Sequence, residues 1–130
     1  MRLQANTHRA DTHQSRANYH AGQAAEESVA REYEKRGMTV AHRRWRGQGG
    51  EVDLIVRRGD EVIFVEVKKS RSFARAADRL GRRQMDRLCA AASEFIAGEP
   101  RGQLTDVRFD LAMVDGLGAV RVIENAFMEA

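Results

Sequence analysis

The stretch GGEVDLIVRRGDEVIFVEVKKS, residues 49–70, holds the most apolar strand-like runs of the chain. Inside those runs sit Glu51, Asp53 and Glu66, with Lys68 just beyond. Carboxylates are costly to bury unless something pairs with them. Their position in the best strands therefore calls for a physical reason.

Side chains alternate across a strand, so Glu51, Asp53 and Ile55 are expected on one face and Val52, Leu54 and Val56 on the other. In the next strand Phe64, Glu66 and Lys68 share a face, opposite Ile63, Val65 and Val67. Gly59-Asp60 reads as a two-residue hairpin loop, with glycine supplying the positive φ. Closing the hairpin there sets Arg58 opposite Glu61. Counting back from the turn pairs Ile55 with Phe64, Asp53 with Glu66, and Glu51 with Lys68. The apolar sides coincide in this register, which supports it. Two carboxylates then face each other with Cβ atoms roughly 4.5–5.5 Å apart, which is destabilising. A bound cation reverses that sign, and Mg²⁺ favours one or two carboxylates plus a substrate phosphate. The competing reading is an ordinary ion-pair network, with Glu51–Lys68 as one cross-strand pair.

Working outward, residues 1–17 are polar and aperiodic and read as a disordered tail; His8, His13 and His20 lie there or at its edge. Residues 18–130 read as a single domain. Asn18 is a candidate cap for a helix running to about Arg36 and closed by Gly37. Its small or apolar stripe is Gly22, Ala25, Val29, Ala30 and Tyr33. Glu26 lies on that stripe, either as a functional acid or answering the helix dipole. Met38 to Arg46 reads as a strand, with Met38, Val40, His42 and Arg44 on one side and Thr39, Ala41, Arg43 and Trp45 on the other. GQGG separates it from the acidic hairpin. A second helix is expected from about Leu80 to Ala97, with Met85, Leu88, Cys89, Ala92, Phe95 and Ile96 on its apolar face. DVRFDLAMV (106–114) alternates as a strand, and AVRVIENAF (119–127) adds a short last one.

The chain has 130 residues, of which 42% are hydrophobic and 32% charged, so a folded domain with a heavily solvated surface is expected. No run approaches the ~18 apolar residues of a membrane span, and the N-terminus lacks a secretory apolar stretch. Cys89 is the only cysteine, which excludes a disulfide framework and a cysteine metal cluster and points to a reducing, cytoplasmic setting. The net charge is +3. RRWR, RR, KKSR and RLGRR bracket the acidic strands, a pattern that suits either a phosphate-bearing partner or plain solubility.

Asp53, a gap, and then Glu66-Val67-Lys68 resemble the PD-(D/E)XK nuclease motif. The longer run from Gly22 to Arg71, with RFDLAMV and IENAF near the end, closely resembles the YraN family, over about residues 20–127. That resemblance implies an α/β fold with a restriction-endonuclease-like α-β-β-β-α-β core, a mixed central sheet flanked by helices. It is similar to archaeal Holliday junction resolvases, and the implied activity is a metal-dependent endonuclease acting on DNA. By position, Asp53 matches the metal-binding aspartate, Glu66 and Lys68 the ExK pair, and Glu26 the acid of the first helix. Glu51 matches the glutamate of the family's GEIDLI element. Two departures stand out. The usual VEVK-T/Y-R is Lys68-Lys69-Ser70-Arg71 here, and Gln84 occupies a helix position where lysine is common. Gln84 is then a polar auxiliary or a surface glutamine.

On this reading Asp53, Glu66 and Glu26, with the carbonyl of Val67, hold Mg²⁺ or Mn²⁺ against a scissile phosphate. The metal polarises the phosphoryl oxygen and generates hydroxide from bound water, while Lys68 orients that water or stabilises developing charge. Arg43, Arg44, Arg46, Lys69 and Arg71 are expected to grip the backbone, and Trp45 either stacks on a base or packs in the core. Cutting two strands of a junction would call for a homodimer. The alternative is a non-catalytic nucleic-acid-binding or partner-docking module with a nuclease-like fold.

Overall fold

The computed structural model describes residues 22–69 and 81–126. The N-terminal tail, the Asn18 cap, Arg71 and the start of the second helix at Leu80 lie outside the described residues. The elements are α1 (22–35), β1 (Thr39–Arg46), β2 (Glu51–Arg58), β3 (Glu61–Lys69), α2 (Arg82–Ile96), a 3-10 turn (Gly102–Leu104), β4 (Val107–Val114) and β5 (Val120–Ile123). This is the expected α-β-β-β-α-β order with one further strand.

The five strands form one mixed sheet in the order β1-β2-β3-β4-β5. β1, β2 and β3 pair antiparallel, β3 and β4 pair parallel, and β4 and β5 pair antiparallel. A parallel β3–β4 pair needs a crossover, and α2 lies on that connection. β2 and β3 are buried on both faces, so their sequences run nearly continuously apolar. Their hairpin closes at Gly59, φ +60°, with Arg58 opposite Glu61 and Ile55 opposite Phe64, as the turn chemistry predicts.

Two apolar layers cover the sheet. Ala25, Val29, Ala30 and Tyr33 of α1 pack on Leu54, Val56, Ile63, Val65, Ala112 and Val114. Leu88, Ala91, Ala92 and Ile96 of α2 pack on the other face, against Val52, Ile55, Val62 and Phe64. α1 ends where expected: Gly37 N–H donates to the Glu34 carbonyl and Met38 N–H reaches back to that of Tyr33. These bonds satisfy carbonyls that the helix leaves open.

Three expectations about faces need correction. The β1–β2 register shifts between Val40 and His42. That bulge turns His42 toward α2, where its ring meets Phe95 edge-on at 5.4 Å. Arg43 turns toward α1 instead, away from Trp45. Val52 packs with the α2 layer rather than beside Leu54 and Val56. The alternation breaks at Asp53, where the register would place Arg44 opposite; Arg44 has left the extended conformation, with φ +52°. Cys89, placed by periodicity on the apolar face of α2, is exposed, and Ala91 is buried in that layer instead.

β4 carries a buried ion pair that alternation alone does not announce. Asp110 is fully buried on the α1 side. It accepts from Tyr33 Oη at 2.7 Å, from Arg108 Nε and Nη2 at 2.9 and 2.8 Å, and from the Asn125 amide at 3.1 Å. Burial and the Asp110 charge raise the Tyr33 hydroxyl well above its ordinary pKa, so the phenol stays a donor. The Ala126 amide donates to Phe109 O at 2.9 Å. Together these bonds fasten the segment after β5 to the sheet and give the IENAF element a structural task.

Candidate functional site

The acidic end of the β2–β3 hairpin meets the N-terminal half of α2. Cα pairing runs from Arg58–Glu61 to Leu54–Val65, and beyond it the Val67 amide donates to Asp53 Oδ2 at 2.8 Å. The Asp53 side chain thus reaches β3 beside Glu66, although the paired ladder stops one step short of the expected Asp53–Glu66 and Glu51–Lys68 pairs. Glu66 is buried, only 6% exposed. Gln84 Nε2 donates to Glu66 Oε2, and Lys68 Nζ stands 3.5 Å from the same oxygen. Asp53, Glu66 and Gln84 line a cleft of about 210 Å³ with Gly50, Glu51, Arg87 and Leu88.

Burial, then the adjacent Glu66 carboxylate, pushes the pKa of Asp53 up to about 8; the Val67 amide opposes this and Glu51 adds to it. Two desolvated carboxylates in one cleft are a standing electrostatic cost that a divalent cation would relieve. The donor set is hard oxygen, which suits Mg²⁺ or Mn²⁺. Among the described residues no group of three or more His, Cys, Asp or Glu side chains converges to hold a metal. Asp53 and Glu66 are the two acids that meet most closely there, with Glu51 on the rim of the same cleft.

Glu26 is engaged by an arginine. Its Oε1 accepts from Arg44 Nε at 2.7 Å, although Asp53 and Glu51 lie close enough to raise its pKa, behind burial as the main cause. Glu51 pairs with its ladder neighbour Arg46 at 3.3 Å, so the cross-strand Glu51–Lys68 pair gives way to Lys68–Glu66. Arg43 is likewise held, by Glu27 at 2.7 Å. Lys69 is exposed at the end of β3. Trp45 packs edge-on against Phe95 at 5.4 Å, inside the α2 layer.

Sequence reasoning missed Arg87 and Leu88 as cleft residues. The signal was available in Gln84, since positions three and four further along a helix share its face. Arg82, Arg83 and Arg87 are all exposed on α2.

No helix among the described residues is long and apolar enough to cross a membrane. The profile of the uncharacterised protein family UPF0102 matches residues 25–114. A UPF0102 protein of Cereibacter sphaeroides (strain KD131) is 69% identical over 110 residues, covering 85% of this chain and 94% of its own. One from Ruegeria pomeroyi is 64% identical over 110 residues, covering 85% and 89%. One from Roseobacter denitrificans is 54% identical over 120 residues, covering 92% and 93%. With the profile spanning the α1-to-β4 core that carries the acidic pair, the chain belongs to the UPF0102 family, the YraN family whose motifs it bears.

Proposed function

We propose that the protein is a divalent-metal-dependent endonuclease acting on DNA, with Asp53 and Glu66 as its metal-holding pair. The observation that carries this reading is the meeting of those two carboxylates in one cleft, with Gln84 and Lys68 both on Glu66. Among the described residues Glu66 has Lys68 as an ion-pair partner but Asp53 has no cation, so an ion-pair network does not account for the second acid. When bound, Mg²⁺ or Mn²⁺ would polarise a phosphoryl oxygen and acidify a water.

The chain's own residues do the rest. Gln84 fixes the rotamer of Glu66 by donating to one of its oxygens. The Val67 amide fixes Asp53 in the same way. Lys68 places a compact positive charge 3.5 Å from the acid, where a phosphate could take it over as charge grows in the transition state. Phosphates on either side of the scissile bond would meet Arg82, Arg83 and Arg87. These are exposed and have no carboxylate partner among the described residues, and Arg87 lines the cleft itself. By contrast, Arg43, Arg44 and Arg46 must first leave Glu27, Glu26 and Glu51.

The engagement of Glu26 by Arg44 favours the second reading, a module that binds nucleic acid without cutting it. A panel of branched and linear DNAs with Mg²⁺ or Mn²⁺, run beside Glu66→Gln, separates the two. Metal-dependent cleavage that Glu66→Gln abolishes supports the nuclease. Binding without cleavage by the wild type supports the module.

A further inference from the structure

The GQGG turn between β1 and β2 is seated on α2. Glu94 Oε1 accepts from the Gln48 amide at 2.8 Å and from the Gly49 amide at 3.3 Å. The backbone approaches so closely that side chains would not fit. A Cβ on Gly49 would stand 2.9 Å from Ala90 Cβ, and one on Gly50 would stand 3.2 Å from the Arg87 carbonyl oxygen. Arg87, Ala90 and Glu94 follow one another at helical spacing, and Gln84 begins the same stripe one turn earlier. One face of α2 therefore grips β3 at Glu66 through Gln84 and grips the entry to β2 at Gln48–Gly49 through Glu94. Asp53 lies between these grips, four residues after Gly49.

We propose that Glu94 is a positioning residue for the Asp53–Glu66 pair, holding the start of β2 against α2 so that Asp53 meets Glu66 in the cleft. The proposal rests on reading that pair as the metal site. A carboxylate that only tidied an exposed turn would not need the turn's backbone pressed onto Arg87 and Ala90 of the same helix. Nor would it need to share a helix face with the side chain that orients Glu66. Because the turn, α2 and the hairpin enclose the cleft together, the Glu94 bonds act as a splint on its width.

Amide hydrogen exchange in the metal-free protein, alongside Mn²⁺ titration, tests this on Glu94→Ala, Glu94→Gln and Gly49→Ala. Glu94→Gln keeps an acceptor oxygen and should match the wild type in both measurements. Glu94→Ala should speed exchange at Gln48 and Gly49 and, about tenfold, at Val67, whose amide is held by Asp53. It should also weaken Mn²⁺ binding by roughly 10–100-fold, the cost typical of losing a group that orients a ligand. Gly49→Ala lifts the turn without touching Glu94 and should give the same pattern, which decides the matter if Glu94→Ala fails to fold. Faster exchange confined to Gln48 and Gly49, with Val67 and Mn²⁺ affinity unchanged, overturns the proposal. Wild-type Mn²⁺ binding that Asp53→Asn leaves intact would sink the metal-site reading, while the Val67 exchange rate would still decide whether Glu94 positions Asp53.

Discussion

Replacing Asp53 with Asn should stabilise the metal-free protein, the reverse of what removing a buried polar contact usually does. The folded state holds the Asp53 proton up to about pH 8, against 3.8 for an unperturbed carboxyl. A carboxyl whose pKa is raised by folding stabilises the fold fully only below its unfolded value. Stability is then lost as pH rises from about 4 toward 8, because the folded chain keeps a proton that the unfolded chain has released. At ~1.4 kcal/mol per pH unit, the loss at pH 7 is on the order of 4 kcal/mol. Asparagine mimics the protonated acid: its oxygen can still accept from Val67 N–H and its amide can donate to Glu66. In chelator, Asp53→Asn should therefore melt on the order of 10 °C above wild type at pH 7 and converge with it near pH 4. Added Mn²⁺ should narrow the gap by stabilising only the wild type, through mass action. Urea and thermal melts from pH 4 to 8, with and without Mn²⁺, measure all of this. A variant less stable than wild type in chelator at pH 7, or a gap independent of pH, would refute the placement of two desolvated carboxylates side by side.

Lys68→Ala should lower cleavage by ~10²–10³ with little loss of DNA affinity, and Lys68→Arg should not fully restore the rate; equal turnover in a folded Lys68→Ala protein removes the proposed role. Joint replacement of Arg82, Arg83 and Arg87 by Ala should reduce the slope of log affinity against log salt by about 2–3, an effect read by fluorescence anisotropy, and an unchanged slope would place the phosphates elsewhere. Tyr33→Phe withdraws one donor from the fully buried Asp110 and should cost ~1.5–3 kcal/mol in urea unfolding; a cost near zero would mean that Arg108 and the Asn125 amide satisfy that carboxylate alone.

The hairpin was legible because its signals are local. Period-2 alternation, a Gly-Asp loop and coincident apolar sides each constrain the register, and together they place Asp53 beside Glu66. What the sequence could not disclose were events that break a period. The bulge near His42 and the left-handed Arg44 leave no compositional trace, since arginine is no marker of positive φ. They nevertheless decide which arginines face α1 and which layer receives Val52. Asp110 was hidden for another reason. DVRFDLAMV alternates as an ordinary strand with Asp106, Arg108 and Asp110 at every second position, and alternation does not tell that α1 covers Asp110, where Tyr33 and Arg108 satisfy the carboxylate.

The same distinction explains the candidate site. Residues within one hairpin were placed by counting, but Glu26 comes from a helix packed across the sheet, where stripe membership fixes the face and not the partner. Arg44 takes it, and Arg44 is the residue that leaves the strand conformation beside Asp53. A left-handed, non-glycine residue in a strand is a cost of order 1–3 kcal/mol that the surroundings must hold in place. Here the surroundings are a 2.7 Å bond to Glu26, whose side chain is 15% exposed. The carboxylate that the family resemblance assigned to the metal thus neutralises a strained cation on the α1 side of the sheet. Arg44 in turn keeps a third acid from adding its charge to Asp53 and Glu66. Removing Arg44 would strip the half-buried Glu26 of its 2.7 Å partner, so Glu26 and Arg44 should be tested together in a double-mutant cycle, with Mn²⁺ affinity as the readout. A zero coupling energy would separate α1 from the site, and the functional set would then reduce to the hairpin and α2.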